Sequence, residues 1–324
     1  MIAQKFFIPV AAIAVLGFML QPARAATVAA GVQVGTISSA TLNEVSGIVG
    51  SRSLANTLWV HNDSGDSARF FAISKQGALL GEFNLTSATA TDWEDIAIGP
   101  KTGGGNYLYL ADIGDNAEAR SDVSIYRVTE PQSTTSAAIA AANYKRLRLQ
   151  YPDGARNAES FFVDPLNGDL YIVTKALSAR VYRASANSFD SVAQPVTLTA
   201  IGNLTQAIPF ATAADISPDG RFILIRNPLT TAYLYERQAN QSVWDALQNT
   251  PLAVTLPQES QGEAIGWAAD GKGFYTTSEF NGAGPRPIYF YAVTVPEPTG
   301  IALTTTALLV LAVCHRRNFA SRAP

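Results

Sequence analysis

Five acidic residues recur along the middle of the chain, each close to the start of a short apolar segment. They are 50, 65, 56 and 48 residues apart, a spacing that suits a structural repeat made of β-strands. Carboxylates that converge on one point cannot all stay ionised without a cation, a shared proton or many hydrogen-bond donors. Oxygen ligands without cysteine or histidine select a hard ion, and outside the cell calcium is expected. The candidate metal ligands are Glu44, Glu94, Glu159, Asp215 and Glu263.

The same acids have a purely structural interpretation. Buried carboxylates usually accept hydrogen bonds, and here each could accept one from a backbone N–H of the next repeat. The acids would then hold neighbouring repeats together without binding a metal.

A second set of polar residues follows the second apolar segment of each repeat. In an enzyme, this set would suit metal-assisted hydrolysis, in which the ion polarises a phosphoryl or lactone oxygen and a carboxylate activates water. Lys175 and Arg226 could bind the anionic group of the substrate, or they could form ordinary salt bridges with the acids. The candidate bases are Asp63, Asp66, Asp112 and Asp115.

The elements around these residues are predicted to be β-strands. Segments rich in Val, Ile, Tyr, Phe and Thr, such as 106–110, 169–174 and 221–225, are bounded by Gly, Pro, Asn or Asp. Each repeat contains a first strand, a turn rich in Gly and Asp, a second strand, a third with an aromatic residue and a weaker fourth. This pattern predicts an all-β chain folded as a β-propeller with five blades. A sixth blade could lie in the long second repeat, where 133–142 looks more like a surface loop.

The geometry of a propeller then places the polar residues. Strands alternate in direction, so the loop entering each innermost strand and the loop joining the second and third strands open on one face. We therefore expect the recurring acids to surround the mouth of the central channel. The last repeat lacks a clear fourth strand, and the segment 32–37 could supply it and close the ring without exposed strand edges.

The two ends of the chain have the features of export signals. Residues 1–25 combine Lys5, an apolar stretch and the small residues Ala23 and Ala25, which predicts a secretory signal peptide handled by the Sec machinery. We expect residues 26–294 to form the propeller domain. The tail, 295–324, has an apolar run of 15 residues, shorter than the roughly 20 of a comfortable membrane span.

The tail is similar to a known sorting signal. Pro296, Glu297 and Pro298, followed by the short apolar run and then by Arg316 and Arg317, resemble the PEP-CTERM signal of Gram-negative bacteria. The resemblance implies recognition by an exosortase, with transient anchoring in the inner membrane before release to the outer surface or the medium. The alternative is an ordinary C-terminal anchor.

The body resembles the calcium-dependent apyrases, which are five-bladed propellers with an axial calcium ion, and shares the general plan of phytase-like and gluconolactonase-like propellers. The residues that carry the resemblance are the acids of the repeat together with Ser46. The resemblance implies a propeller with an axial calcium site, and one possible activity: calcium-dependent hydrolysis of a phosphoanhydride, phosphoester or lactone.

Composition limits the partners. The net charge is −3, and the body has no block rich in Lys or Arg, so nucleic acid is not an expected partner. Our sequence-based expectation is an exported binding protein of the envelope or extracellular matrix. Its channel face would bind a glycan, a surface protein or a small anionic ligand. The calcium-dependent hydrolase remains the alternative.

Overall fold

A computed structural model describes residues 26–190, 193–259, 261–279 and 286–295 of the chain. All of its strands lie within one compact unit, Thr27–Thr294. No helix in these described ranges is long and apolar enough to cross a membrane. The predicted export signals fall outside the described residues, and these are Ala23, Ala25, Pro296, Glu297, Pro298, Arg316 and Arg317.

The first half of the unit forms two blades of four antiparallel strands. Two short strands come first, β1 (Thr27–Val28) and β2 (Val32–Ile37). Blade 1 contains β3 (Val45–Gly50), β4 (Thr57–Asn62), β5 (Arg69–Ser74) and β6 (Leu79–Leu85). Blade 2 contains β7 (Trp93–Pro100), β8 (Asn106–Asp112) and β9 (Val123–Thr129), then, after β10 (Ala137–Ile139) and a 3-10 turn at Ala141–Asn143, β11 (Tyr144–Gln150).

The second half forms three more blades. Blade 3 contains β12 (Ala158–Val163), β13 (Leu170–Thr174), β14 (Arg180–Ala184) and, after a 3-10 turn at Ala186–Asp190 and β15 (Val196–Thr197), β16 (Thr199–Asn203). Blade 4 contains β17 (Ala213–Ile216), β18 (Phe222–Arg226), β19 (Thr231–Glu236), the short helix α1 (Val243–Leu247) and β20 (Leu252–Thr255). Blade 5 contains β21 (Gln261–Trp267), β22 (Gly273–Glu279) and β23 (Arg286–Thr294).

The five blades close into a ring. The innermost strands β3, β7, β12, β17 and β21 each contact the next one, and β21 contacts β3. The segment β2 pairs antiparallel with β23, from Val32 opposite Phe290 to Ile37 opposite Arg286, and so supplies the fourth strand of blade 5. The predicted five-bladed propeller, closed by an N-terminal strand, is therefore confirmed.

Two short strands pair with a neighbouring blade instead of their own. β10 lies between β9 and β11 in sequence, but it pairs in parallel with β6 of blade 1, Ala137 opposite Phe83. β15 pairs in parallel with β11 of blade 2, Leu149 opposite Val196. The segment 133–142 thus forms neither a sixth blade nor a simple surface loop, because part of it extends the outer edge of blade 1.

The hydrophobic core lies between adjacent blades. Every residue of β3 and β12 is buried, as expected for strands covered on both faces. On the face of blade 1 that packs against blade 2, Trp59 contacts Phe70 and Phe83 edge to face, with ring centroids 5.7 and 5.4 Å apart. Burial of each large apolar side chain contributes about 1.5–3 kcal/mol to folding. These interfaces set the positions at which the inner strands begin.

Candidate metal centre at the mouth of the propeller

The mouth face is the face on which the innermost strands begin. Four of the five innermost strands have an irregularity in their pairing at this end. The register shifts between Val45 and Gly47, between Trp93 and Asp95, between Ala158 and Ser160, and between Gln261 and Ala264. A bulge of this kind re-aims the side chain that it carries. The residues within these four bulges include Ser46, Glu94, Glu159 and Glu263.

Blade 4 differs from the other four blades. The strand β17 pairs regularly with β18, and Asp215 lies opposite Leu224, two pairs beyond the first pair of the strand, Ala213 and Arg226. Its Oδ2 accepts a hydrogen bond of 2.7 Å from the Trp267 N–H of blade 5, and its Oδ1 accepts one of 2.8 Å from the Ile216 N–H. Asp215 therefore joins two blades, as the structural interpretation of the repeated acids expected.

Glu44 also departs from the expected ring of five. It precedes β3 and is exposed, and the bulge position in blade 1 belongs to Ser46. The Ser46 Oγ donates to the Glu94 carbonyl at 2.5 Å and so links blades 1 and 2. The Glu44 carbonyl accepts from the Asp63 N–H at 2.7 Å and holds the loop after β4 in place. Of the five acids, the structure brings together Glu94, Glu159 and Glu263.

Among the residues that the structure describes, three carboxylates at the mouth lie close enough together to share one ion. Asp63 lies in the loop after β4, Asp92 precedes β7, and Glu94 lies in the β7 bulge. One oxygen from each lies within 4.8 Å of the others, a spacing that would allow all three to hold one metal ion. Glu94 is 3% exposed, while Asp63 and Asp92 are half-buried.

The loop after β8 packs directly against this cluster. A Cβ on Gly114 would collide with Glu94 Oε1 and Asp92 Oδ2, so the loop after β8 can approach the two carboxylates only with glycine at this position. The Asp92 N–H donates to Asp112 Oδ1 at 3.1 Å, and Gly114 donates through its N–H to the Asp92 carbonyl at 3.1 Å. Blades 1 and 2 thus supply both the ligand candidates and the backbone that positions them.

Burial and mutual repulsion raise the pKa values of the acids at the mouth. Burial, followed by the charge of Asp63, raises the pKa of Asp92 to about 6. Burial and the neighbouring Glu159 raise the pKa of Glu94 well above its ordinary value. Burial is again the main cause for Glu159, Glu263 and Glu279, whose pKa values rise to about 8, 7 and 9. Such a group favours either protonation or a bound cation.

Lys175 is a cation in direct contact with this group. Its Nζ contacts Glu159 Oε1 directly, and the charges of Glu159, Glu263 and Glu94 help to raise its pKa against the opposing effect of burial. One ammonium does not satisfy every oxygen. Within the described residues, Glu159 Oε2, Glu263 Oε2 and Asp63 Oδ1 are buried and accept no hydrogen bond.

Arg226 has a structural role and is not accessible to a substrate. It is fully buried, forms an ion pair of 2.7 Å with Glu259 and donates to the Ala264 carbonyl at 3.0 Å. Of the two predicted anion-binding cations, Lys175 lies among the acids of the mouth, and Arg226 holds blade 4 against blade 5.

Of the four predicted bases, most form structural contacts within the loops of the mouth. Asp66 pairs with Arg69 at 2.7 Å, and Asp112 is fully buried and pairs with Arg120 at 2.9 Å. Asp115 accepts hydrogen bonds from the N–H groups of Ala119 and Arg120 at 3.0 and 2.8 Å and so holds its own loop. Three of the four thus maintain the mouth loops, and Asp63 alone of the four belongs to the carboxylate cluster.

Sequence reasoning did not select three acids that the structure makes important, Asp92, Glu279 and Asp95. Asp92 lies two residues before Glu94, and Glu279 is the last residue of the second strand of blade 5, as Asn62 is of the second strand of blade 1. Asp95 is fully buried next to Glu94 and accepts from the Phe161 and Ala214 N–H groups at 2.8 and 3.1 Å. For Asp92 and Asp95, the signal in the sequence was the presence of three acids between positions 92 and 95, but the repeat pattern singled out only Glu94.

An open groove of about 630 Å³ lies elsewhere, where β10 crosses from blade 2 to blade 1. Its lining includes Phe83, Tyr107, Arg127, Tyr144 and Lys145, and it contains none of the acids of the mouth. The groove and the carboxylate cluster are therefore separate features.

The fold defines this chain as a five-bladed β-propeller. Its mouth face carries the clustered carboxylates. Comparison with protein-family models and with curated proteins found no match for the chain.

Proposed function

We propose that this protein is an exported β-propeller that holds a calcium ion at its mouth and binds a partner on the same face, in the envelope or the extracellular matrix. The observation that carries the proposal is the approach of Asp63, Asp92 and Glu94, with one oxygen of each within 4.8 Å of the others. The site proposed here is formed by blades 1 and 2, whereas the sequence predicted a site on the propeller axis with ligands from all five blades.

The donor set suits calcium. Calcium takes six to eight oxygen ligands and accepts carboxylates, backbone carbonyls and water in a flexible geometry. The three carboxylates supply hard oxygens. Zinc prefers cysteine and histidine ligands, which this cluster lacks.

The geometry supports binding better than hydrolysis. A metal-dependent hydrolase needs a free base and a cation that can bind the substrate anion. Asp66, Asp112 and Asp115 are engaged in loop contacts, Arg226 is paired with Glu259, and Lys175 contacts Glu159. Asp63 would have to act as both metal ligand and base.

Export is supported by the sequence of the two ends. Ala23 and Ala25 complete a signal-peptide pattern, and the Pro296, Glu297, Pro298 motif with Arg316 and Arg317 completes a PEP-CTERM-like tail. Sec-dependent export and processing by an exosortase would deliver the propeller to the cell surface or beyond it.

Calcium titration of the purified protein tests the proposal. Saturating calcium at about 100 times Kd should stabilise the fold by about 2.7 kcal/mol, which for a domain of this size raises the Tm by roughly 5–10 °C. Glu94→Gln and Asp92→Asn should abolish this shift, whereas Asp270→Asn, an exposed acid on the opposite face, should preserve it. An unchanged Tm in the wild-type protein would contradict the calcium site.

A hydrolysis assay should accompany the titration. Nucleoside diphosphates, phytate and lactones should remain intact in the presence of the calcium-loaded protein. Turnover that is lost in Asp63→Asn with folding retained would favour the hydrolase over the binding protein.

A further inference from the structure

Among the described residues of the mouth loops in blades 3 and 4, three large apolar side chains are exposed. Leu177 follows β13 and is 74% exposed, Phe210 precedes β17 and is 45% exposed, and Leu229 follows β18 and is 67% exposed. The Phe210 N–H donates to the Ala176 carbonyl at 3.0 Å, so the first two of these loops are joined. We refer to Leu177, Phe210 and Leu229 as the apolar rim.

The backbone of Phe210 has an energetically unfavourable conformation. Its φ is +56°, a left-handed conformation that is rare for a bulky residue and costs about 1–3 kcal/mol. Its neighbours Ile208 and Ala211 are fully buried and fix the loop on both sides. The loop is thus anchored in the core while the phenyl ring stays partly in solvent.

The apolar rim adjoins the acids that are not part of the proposed calcium site. Leu177 is two residues beyond Lys175, which contacts Glu159. Leu229 follows Pro228, whose carbonyl accepts from the Gly262 N–H at 3.2 Å, directly before Glu263. Glu159 and Glu263 are 4% and 7% exposed, and the Oε2 atom of each accepts no hydrogen bond from the described residues.

We propose that the apolar rim and the Glu159–Glu263 pair together bind a protein segment in which a Lys or Arg side chain is flanked by apolar residues. The basic group would pair with the carboxylates of Glu159 and Glu263, and the apolar side chains would cover Leu177, Phe210 and Leu229. This inference rests on the proposed function, since it names the partner of the same face.

Charge and shape favour this partner over a glycan. The acids of the mouth outnumber the cations near them, Lys175, Arg120 and Arg226, so the face attracts a cationic group when its acids are ionised, and guanidinium forms paired hydrogen bonds with carboxylates. Exposed apolar side chains grouped beside polar ones are typical of protein interaction sites. Sugars stack on aromatic faces, whereas two of the three rim residues are leucines.

A peptide array provides the test. The probes are hexapeptides with a central Arg or Lys flanked by Leu, Ile, Phe or Tyr, together with two matched sets in which Gln replaces the basic residue or Ser replaces the flanking residues. Binding to the calcium-loaded full chain is measured by fluorescence polarisation. We expect the basic and apolar peptides to bind at least tenfold more tightly than either matched set.

Variants of the protein test whether the peptide binds to the apolar rim and to Glu263. The double change Leu177→Ser with Leu229→Ser, and separately Glu263→Gln, should each weaken peptide binding at least tenfold. Leu166→Ser serves as the control because Leu166 is 65% exposed in the turn between β12 and β13, on the opposite face, and should leave binding unchanged.

Three outcomes would overturn the inference. They are no binding by any basic peptide, equal binding by the Gln set, and binding of glycans that depends on Leu177 and Leu229 in place of peptide binding. A calcium isotherm on the same samples separates the two proposals. Calcium binding without peptide binding rejects only the docking surface, and peptide binding without calcium binding rejects only the metal site.

Discussion

Asp95 Oδ2, near the axis of the propeller, accepts a hydrogen bond of 2.8 Å from the backbone N–H of Phe161 on the next innermost strand. The same oxygen accepts from the Ala214 N–H at 3.1 Å, so one carboxylate joins blades 2, 3 and 4. Burial raises the pKa of Asp95 well above its ordinary value, while these hydrogen bonds oppose the shift.

Replacing Asp95 should therefore destabilise the ring. Asp95→Ala removes the side-chain acceptor of three buried N–H groups, those of Ile96, Phe161 and Ala214, and we expect a loss of about 2–4 kcal/mol in the free energy of unfolding. Urea denaturation measures the loss. Asp190→Asn, whose side chain is 74% exposed, is the control and should change stability by less than about 0.5 kcal/mol. A similarly small change in Asp95→Ala would show that this carboxylate does not hold the blades together.

The acids of the mouth predict an unusual dependence of stability on pH. In the unfolded chain, Asp92, Glu159 and Glu263 release their protons near their ordinary pKa values of 3.8 and 4.5, but the folded protein retains them until about pH 6, 8 and 7. The folded state binds more protons in this window, so the free energy of unfolding must decrease as the pH rises from about 5 to 8.

Thermal melts in calcium-free buffer at pH 5, 6, 7 and 8 check this expectation. The Tm should fall across the series, and Glu159→Gln together with Glu263→Gln should flatten the fall. Added calcium should oppose part of the fall because it stabilises the ionised carboxylates of Asp92 and Glu94. A Tm that rises between pH 5 and 8 without calcium would contradict the raised pKa values of Asp92, Glu159 and Glu263.

Lys175 should compete electrostatically with a bound metal ion. Lys175→Met removes the positive charge in contact with Glu159, and we expect calcium to bind about tenfold more tightly, since close charges in a partly buried site interact by several kcal/mol. Isothermal titration calorimetry measures the affinity. Lys145→Met is the matched control, because this lysine is half-exposed on the outer strand β11. Unchanged or weaker calcium binding in Lys175→Met would place the ion away from this lysine.

Gly114 provides a steric test of the same cluster. Gly114→Ala places a methyl group against Glu94 Oε1 and Asp92 Oδ2, which should separate the two carboxylates and weaken calcium binding by at least about tenfold. Ala117→Ser, an exposed change in the same loop, should leave the affinity unchanged. If both variants bind calcium like the wild type, Asp92 and Glu94 do not hold the ion together.

Much of the fold could be predicted because its signals are local. Short apolar strands alternate with Gly- and Asp-rich turns at intervals of about 50 residues, and this pattern is typical of propeller blades. The pairing of β2 with β23 could be predicted because the last repeat lacked a strand. The pairing of β10 with β6 could not, since a strand of three residues has too few side chains to show a pattern, and its partner lies 54 residues away at Phe83.

The sequence by itself determined the five-bladed ring and the face on which the acids gather, because both follow from strand order and alternation. Only the tertiary structure decided which acids meet. Glu94, Glu159 and Glu263 lie in bulges, whereas Asp215 lies in a regular ladder and accepts hydrogen bonds from the backbone. A shift of one residue along a strand turns a side chain to the opposite face, and bulges arise from packing between strands that are distant in sequence.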